Sequence, residues 1–201
     1  MYWRKKKKNE RKIRMSKSIE EKKKERLYEI KVVLLGDPSV GKSSLMKRFC
    51  LDRFEEKYSI TIVGAYLQKE VKLENGDILI LHIWDTGGQE KFRSLAPLYY
   101  KDSVAAILVY DVSNKESLES LDYWVKELEV NVDYSNFIIS VAGNKCDLSN
   151  EMKKVSYTDG KNFCKEKNIS VFYETSAKSG AGVKELFTSL AQKVYEAQRN
   201  E

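Results

Sequence analysis

A glycine-rich segment contains the first residues whose order could do chemistry. Residues 36–43 read Gly-Asp-Pro-Ser-Val-Gly-Lys-Ser, which fits the pattern GxxxxGK[ST]. In this order the glycines let backbone N–H groups turn towards phosphate oxygens, while Lys42 reaches the terminal phosphates and the Ser43 hydroxyl ligates Mg²⁺. The segment predicts a phosphate cradle that consists of Ser39, Val40, Gly41, Lys42, Ser43 and Ser44.

A second motif, Asn144-Lys145-Cys146-Asp147, indicates which base accompanies the phosphates. It follows the apolar run Phe137–Ala142, so it lies at the carboxyl end of a predicted strand, where open α/β sheets bind ligands. The carboxylate of Asp147 can accept two N–H bonds from guanine, whereas adenine offers no such pair of donors. Downstream of a phosphate cradle, this tetrad predicts a guanine nucleotide.

Two further motifs follow predicted strands. Residues 84–90 read Trp-Asp-Thr-Gly-Gly-Gln-Glu. Here Asp85 is a second candidate Mg²⁺ anchor, Gly88 can offer a backbone N–H to the γ-phosphate, and Gln89 can orient water. Residues 174–178, Glu-Thr-Ser-Ala-Lys, follow the last predicted strand and are placed to close over the base.

The elements that position these motifs alternate between strands and helices. Apolar, β-branched runs predict buried strands at Ile30–Leu35, Ile78–Trp84, Val104–Tyr110, Phe137–Ala142 and Val171–Tyr173. Helical patterns occur at Lys42–Leu51, Lys91–Lys101, Ser117–Val130, Thr158–Lys167 and Val183–Gln198. This alternation predicts an α/β fold of the P-loop NTPase type, a doubly wound, mostly parallel sheet with helices on both faces.

One connection departs from this pattern. The run Ala65–Leu73 is joined to the following strand by Glu74-Asn75-Gly76-Asp77. Asn-Gly between apolar runs is the strongest short-range signal for a hairpin. We therefore expect one antiparallel strand at an edge of the sheet.

Charge is distributed unevenly along the chain. Residues 1–26 hold 13 lysines and arginines against four glutamates, a net charge of +9, whereas the whole chain of 201 residues carries +6. The remainder therefore carries −3, and we expect a basic, largely disordered arm at 1–26 attached to one domain at 27–201. Such an arm is commonly a solvated tail, so we do not expect the protein to bind nucleic acid.

The remaining composition excludes several other classes of protein. Three scattered cysteines, Cys50, Cys146 and Cys164, have no metal-ligand spacing, and the single histidine, His82, argues against zinc sites and histidine-based catalysis. No apolar run approaches the roughly 20 residues of a membrane-spanning helix. We therefore expect a reduced, intracellular protein.

The four motifs, together with Thr61, resemble the Ras superfamily of small GTPases over residues 30–197. The stretch Trp84–Tyr100 is similar to the Rab family, and most similar to its endosomal branch. The resemblance implies a switch that binds Mg²⁺ with GTP or GDP, hydrolyses GTP slowly and regulates vesicle traffic. It also implies partner proteins, namely effectors, exchange factors and GTPase-activating proteins.

The resemblance also assigns roles to individual residues. Thr61 would ligate Mg²⁺ and sense the γ-phosphate, Tyr58 would lie over the phosphates, and Phe54 would stack on the guanine edge. The residues implied in catalysis are Gln89, Lys42 and Thr61. Those implied in reading the base are Asn144, Lys145 and Asp147, helped by Ser176, Ala177 and Lys178. Those implied in effector contact are Tyr66, Trp84 and Tyr99, for which core packing is the alternative reading.

Some positions depart from the family pattern. Pro38 stands where relatives carry a small residue beside the γ-phosphate, and we expect its ring to crowd an incoming arginine finger. Rab proteins normally continue into a prenylated, cysteine-bearing tail beyond the position of Glu201. We therefore expect the arm at 1–26 to supply weak contact with anionic membranes. Two alternatives remain: a non-cycling guanine-nucleotide-binding scaffold and a Ran-like transport GTPase.

Overall fold

A computed structural model describes residues 27–56, 64–87 and 96–199 of the chain. Six strands of this part form one sheet: β1 Leu27–Leu35, β2 Ala65–Lys72, β3 Ile78–Asp85, β4 Ala105–Asp111, β5 Ile138–Asn144 and β6 Val171–Thr175. Their order across the sheet is β2-β3-β1-β4-β5-β6. Strand β2 pairs antiparallel with β3, and every other pair is parallel.

Helices pack on both faces of this sheet. Those of the described residues are α1 Lys42–Leu51, α2 Ala96–Tyr100, α3 Lys115–Glu119, α4 Leu121–Asn131, α5 Tyr157–Glu166 and α6 Val183–Arg199. The apolar faces of α1 and α6 share one core with the sheet, and those of α3, α4 and α5 share a second core on its other face. No helix in the described ranges has an apolar stretch long enough to cross a membrane. The architecture confirms the predicted doubly wound α/β sheet.

The burial patterns of the strands follow from how many of their faces the helices cover. All seven residues of β4 are buried, because their side chains alternate between the two cores. Strand β3 instead alternates between buried and half-buried positions, because helices cover only one of its faces. The other face of β3, which lies between β2 and β1, is consequently open to solvent.

The predicted hairpin is present between β2 and β3. The N–H of Leu73 donates to the carbonyl of Asp77 at 2.9 Å, and Gly76 has φ of 90°, a left-handed conformation that glycine adopts without strain. The tip docks on α6, where the hydroxyl of Tyr195 donates to Asp77 Oδ2 at 2.6 Å. Strand β2 is therefore the predicted antiparallel edge strand.

The helical stretch predicted near Ser117–Val130 is present but is divided in two. The structure has two helices, α3 and α4, which meet at Ser120. There the Ser120 hydroxyl donates to the carbonyl of Ser117 at 3.1 Å, and the next turn is closed by a bond from Tyr123 N–H to Ser120 O, three residues back. Serine competes for backbone partners in this way, which explains the break. Of the predicted helix Lys91–Lys101, the structure describes α2, and residues 91–95 lie outside the described ranges.

A buried tyrosine positions the ends of two central strands. Tyr110, the penultimate residue of β4, is fully buried, and its hydroxyl lies where Gly143 and Gly160 leave space. A Cβ on Gly143 would lie 2.5 Å from the Tyr110 oxygen, and one on Gly160 would lie 2.4 Å from it. Because Tyr110 and Gly143 directly precede the last residues of β4 and β5, this packing sets where those two residues lie.

Replacement of Gly160 by alanine tests whether close packing or helix propensity determines the change in the free energy of unfolding. Propensity alone predicts that Gly160→Ala in α5 stabilises the protein by about 1 kcal/mol. We expect destabilisation of about 1–3 kcal/mol instead, because the new methyl group would clash with Tyr110 and with the ring of Phe172 at 2.6 Å. Urea unfolding measures the difference. Lys161→Ala, an exposed change in the same helix, is the control and should stay within about 0.5 kcal/mol of the parent protein.

Candidate functional site

The glycine-rich loop connects β1 to α1 at the carboxyl edge of the sheet. Gly36, Ser39 and Gly41 have φ values of 140°, 63° and 101°, so the loop turns tightly before the helix begins at Lys42. A Cβ on Gly36 would lie 2.3 Å from the carbonyl oxygen of Val109. Only glycine fits there, because the loop passes close to the backbone of β4.

Lys42 lies beneath this loop and is 5% exposed. Its ammonium donates to the carbonyls of Gly36 at 2.9 Å and Asp37 at 2.8 Å. Burial lowers the pKa of Lys42 to about 8, although the nearby carboxylates of Asp85 and Asp37 oppose this shift. A buried ammonium at a helix N-terminus is a favourable position for an anion such as a phosphate group.

Ser43 and Asp85 come together from different parts of the chain. The Ser43 hydroxyl, in the first turn of α1, donates to Oδ2 of Asp85, the last residue of β3, at 2.5 Å. A hydroxyl and a carboxylate supply the hard oxygen ligands that Mg²⁺ prefers, so the donor set fits this ion. Within residues 27–56, 64–87 and 96–199 no group of three histidine, cysteine or acidic side chains could hold a metal.

Asn144, the last residue of β5, connects the loops around the site and is 1% exposed. Its amide nitrogen donates to the carbonyl of Val40 at 2.8 Å, in the glycine-rich loop. Its amide oxygen accepts from Ala177 N–H at 3.3 Å and from the Thr175 hydroxyl at 3.4 Å, both in the last motif. The predicted phosphate and base segments therefore lie together.

Asp147 lies at the exposed edge of the same loop. Its Oδ1 accepts from the Ser176 hydroxyl at 2.5 Å, and that hydroxyl in turn accepts from Ser179 N–H at 2.9 Å. The Ser176 hydroxyl thus orients the carboxylate, which is exposed to incoming N–H donors. This geometry fits recognition of guanine.

The other predicted base residues surround Asp147. Lys145 has φ of 67°, and its ammonium pairs with Oδ2 of Asp111 at 2.6 Å. Lys178 is exposed and lies 3.6 Å from a carboxylate oxygen of Glu56. Phe54 is half-buried against the core that α1 and α6 share.

Sequence reasoning missed Arg48, which lies on α1. Its Nε donates to the carbonyl of Ala177 at 2.8 Å, and its Nη2 donates to the carbonyl of Lys178 at 2.8 Å. It therefore holds the last motif against the helix that follows the glycine-rich loop. The two partners are 129 and 130 residues away in sequence, so no local pattern could have indicated them.

The three predicted effector residues have different surroundings. Tyr66 is 43% exposed, and its ring packs at 5.3 Å on that of Trp84, over which the ammonium of Lys31 lies at 5.2 Å. Tyr99 is half-buried, and its hydroxyl accepts from Gly64 N–H at 3.0 Å. A Cβ on Gly64 would lie 2.3 Å from the Tyr99 ring, so Tyr99 packs closely on the backbone.

Four predicted site residues lie outside the described ranges: Tyr58, Thr61, Gly88 and Gln89. The flanking positions are described. Thr86, just before the second of these gaps, is buried and donates its hydroxyl to the carbonyl of Leu34 at 2.7 Å. Pro38 is exposed on the glycine-rich loop, at the position expected to meet an incoming partner.

Comparison with known proteins identifies relatives along most of the chain. The family model described as Ras family matches residues 31–196. Ras-related protein Rab-5B of Plasmodium falciparum is 46% identical over 166 residues, which cover 83% of this chain and 78% of that protein. GTP-binding protein ypt5 of Schizosaccharomyces pombe is 43% identical over 164 residues, 82% of this chain and 77% of that protein. Human Ras-related protein Rab-22A is 42% identical over 168 residues, 84% of each chain.

These matches confirm the resemblance that the motifs predicted, including its endosomal Rab branch. With residues 31–196 matched by the family model and relatives above 40% identity over more than four-fifths of its length, the chain belongs to the Ras family and is a Rab-like small GTPase, a guanine-nucleotide-binding GTP hydrolase.

Proposed function

We propose that the protein binds Mg²⁺ together with GTP or GDP at the carboxyl edge of the sheet and acts as a switch in endomembrane traffic. The observation that carries the proposal is the meeting of Ser43 and Asp85 at 2.5 Å, beside the buried ammonium of Lys42. One hydroxyl, one carboxylate and one cation are the groups that Mg²⁺ and a nucleoside polyphosphate require. Residues 27–201 would form the GTPase domain, and residues 1–26 a separate basic arm.

The glycine-rich loop would bind the phosphate groups. Backbone N–H groups of Ser39, Val40, Gly41, Ser43 and Ser44 lie at or near the N-terminus of α1 and would bind phosphate oxygens. Lys42 would transfer its hydrogen bonds from the loop carbonyls to the β- and γ-phosphates. Mg²⁺, held by Ser43, Asp85 and Thr61, would neutralise charge on the phosphate oxygens.

The loops that Asn144 connects would bind the guanine base. Asp147 would accept the two guanine N–H donors, in the orientation that Ser176 sets. Lys145 would pack on the base, Phe54 would stack on its edge, and Ala177 and Lys178 would close the pocket. The discrimination against adenine follows because a bound base would cover the Asp147 carboxylate, and adenine would leave that carboxylate without N–H donors, which is costly.

The switch itself would use residues outside the described ranges. Thr61 and Gly88 would contact the γ-phosphate, Tyr58 would cover it, and Gln89 would orient the attacking water. Loss of the γ-phosphate would release these contacts and so change the surface that partners meet. Effector proteins would read that surface next to Tyr66 and Trp84, which already lie together on the open face of the sheet.

We further propose that the protein is a cytoplasmic monomer that lies peripherally on endomembranes. The charge of +9 in residues 1–26 supports weak attraction to anionic lipids, since each lysine or arginine near such a surface contributes up to ~1 kcal/mol. Tyr2 and Trp3 could insert at the level of the headgroups.

Base recognition is tested by Asp147→Asn. We expect GTP affinity to fall by about 10²-fold and xanthosine triphosphate to bind better than in the parent protein, because the amide now matches the donor and acceptor pattern of xanthine. Competition of GTP, xanthosine triphosphate and ATP against a fluorescent guanine nucleotide measures this. Asp133→Asn is the matched control, since Asp133 also accepts from a serine hydroxyl, that of Ser135 at 2.6 Å. Comparable GTP and ATP affinities in the parent protein would contradict the assignment.

The metal role is tested by Ser43→Asn and Lys42→Ala. Loss of the Ser43 hydroxyl, which would help to hold Mg²⁺, should weaken GTP binding about tenfold more than GDP binding, because GTP carries more phosphate charge for the ion to neutralise. Loss of Lys42 should weaken both nucleotides. Titrations at fixed Mg²⁺ measure the ratio, with Lys47→Ala on the exposed side of the same helix as control. An unchanged GTP/GDP ratio in Ser43→Asn would rule out the metal role.

Membrane contact is tested by co-sedimentation with vesicles that contain phosphatidylserine. The whole chain should bind at low salt and dissociate at high salt, because the Debye length is roughly 8 Å at physiological ionic strength and shorter above it. A chain of residues 27–201 is the control and should stay in solution. Equal binding by the two chains, or binding that salt does not affect, would remove the arm from the mechanism.

A further inference from the structure

Asp111 is a buried carboxylate that the motifs did not indicate. It is the last residue of β4, lies opposite Asn144 in the parallel register with β5, and is 8% exposed. A buried carboxylate is unfavourable unless charges or hydrogen bonds satisfy it. Its position at the carboxyl edge of the sheet, beside the base loop, raises the question of what it does there.

Both oxygens of Asp111 are engaged. Oδ2 pairs with the ammonium of Lys145 at 2.6 Å. Oδ1 accepts from the N–H of Ser113 at 2.8 Å and from its hydroxyl at 2.7 Å. The N–H of Asp111 donates to the Ser117 hydroxyl at 3.0 Å. The carboxylate cannot rotate without losing contacts, so it holds the ammonium of Lys145 at a fixed point.

The fixed carboxylate of Asp111 restricts the side chain of Lys145. Lys145 has a left-handed backbone, with φ of 67°, and it lies between Asn144, which is tied to Val40, and Asp147, which is tied to Ser176. Its side chain is 37% exposed, so without a partner its four-carbon stem would sample several rotamers. The pair with Asp111 selects one of them before a ligand binds.

We propose that Asp111 is a positioning residue for guanine-nucleotide binding, acting by holding the ammonium of Lys145. The inference rests on the proposed role of Lys145 at the base. Asp111 touches neither base nor phosphate in this scheme. Its contribution is preorganisation, which lowers the ordering cost of binding and should act mainly on the dissociation rate.

The test compares Asp111→Asn with the parent protein. The amide keeps the shape and the acceptor for Ser113 but loses the charge that attracts Lys145. We expect GDP to dissociate about tenfold faster, measured by chasing a fluorescent GDP analogue with unlabelled GDP. Single-turnover hydrolysis of bound GTP should keep its rate, because the phosphate residues are untouched.

A double-mutant cycle separates this role from a merely structural one. Lys145→Met keeps an apolar stem without charge and should accelerate dissociation about as much as Asp111→Asn. The double variant should be no faster than Lys145→Met alone. If Asp111→Asn accelerates dissociation equally in the Lys145→Met background, Asp111 acts through the strand and the proposal is overturned, as it is if Asp111→Asn leaves the rate unchanged.

Two further variants complete the design. Asp122→Asn breaks an ion pair of similar length, 2.5 Å to Lys167, between α4 and α5. It should leave GDP dissociation unchanged.

If Asp111→Asn does not fold, Ser113→Ala is a second test, because it loosens the same carboxylate. Ser113→Ala should accelerate GDP dissociation about threefold, and no acceleration would overturn the proposal. If the parent protein shows no preference for guanine over adenine nucleotides, the proposed function fails. If the preference stands and these variants behave like the parent, only the role of Asp111 fails.

Discussion

The carboxamide of Asn144 joins the three loops that form the site. It donates to Val40 in the glycine-rich loop and accepts from Ala177 in the last motif, while its own backbone carbonyl accepts from Val112 N–H at 3.0 Å, just beyond β4. Gly41 is required for this arrangement, because a Cβ there would lie 2.2 Å from the amide nitrogen of Asn144. Five parallel strands, β1, β3, β4, β5 and β6, end at this edge, and the buried side chain of Asn144 connects the loop after β1 to the loop after β6. The segments proposed to bind phosphate and base are therefore held together before any ligand binds, which would reduce the cost of ordering them on binding.

The antiparallel strands β2 and β3 connect the two segments of the chain that would sense the γ-phosphate. Strand β2 begins just after residues 57–63 and β3 ends just before residues 88–95, the segments that contain Thr61 and Gln89. The two strands are paired over eight residues and anchored to α6 through Asp77 and Tyr195. This ribbon therefore lies between the two segments in sequence, and Tyr66 and Trp84 pack together on its open face with ring centroids 5.3 Å apart.

Local patterns predicted most of the fold, because the hairpin, the glycine-rich loop and the buried strands depend on neighbours in sequence. What they missed depends on contacts between distant residues. Arg48 acquires its role from a loop about 130 residues away, and Asp111 from Lys145, which directly follows β5. Ser120 breaks a helix whose apolar periodicity continues through it. The roles of Thr61 and Gln89 remain predictions, since these residues lie outside the described ranges.

The buried ammonium of Lys42 links nucleotide binding to the stability of the domain. Its folded-state pKa of about 8 lies below the ordinary 10.5, so folding carries a penalty at neutral pH that declines as pH rises from about 8 towards 10.5. In the proposed site, phosphate oxygens would supply a negative counter-charge to this ammonium, which now donates to two neutral loop carbonyls. A ligand that binds only the folded state stabilises it by RT ln(1 + [L]/Kd). A variant of Lys42 or its phosphate-binding neighbours can therefore melt earlier in the presence of nucleotide without any loss of core packing, and its melting temperature then reports affinity.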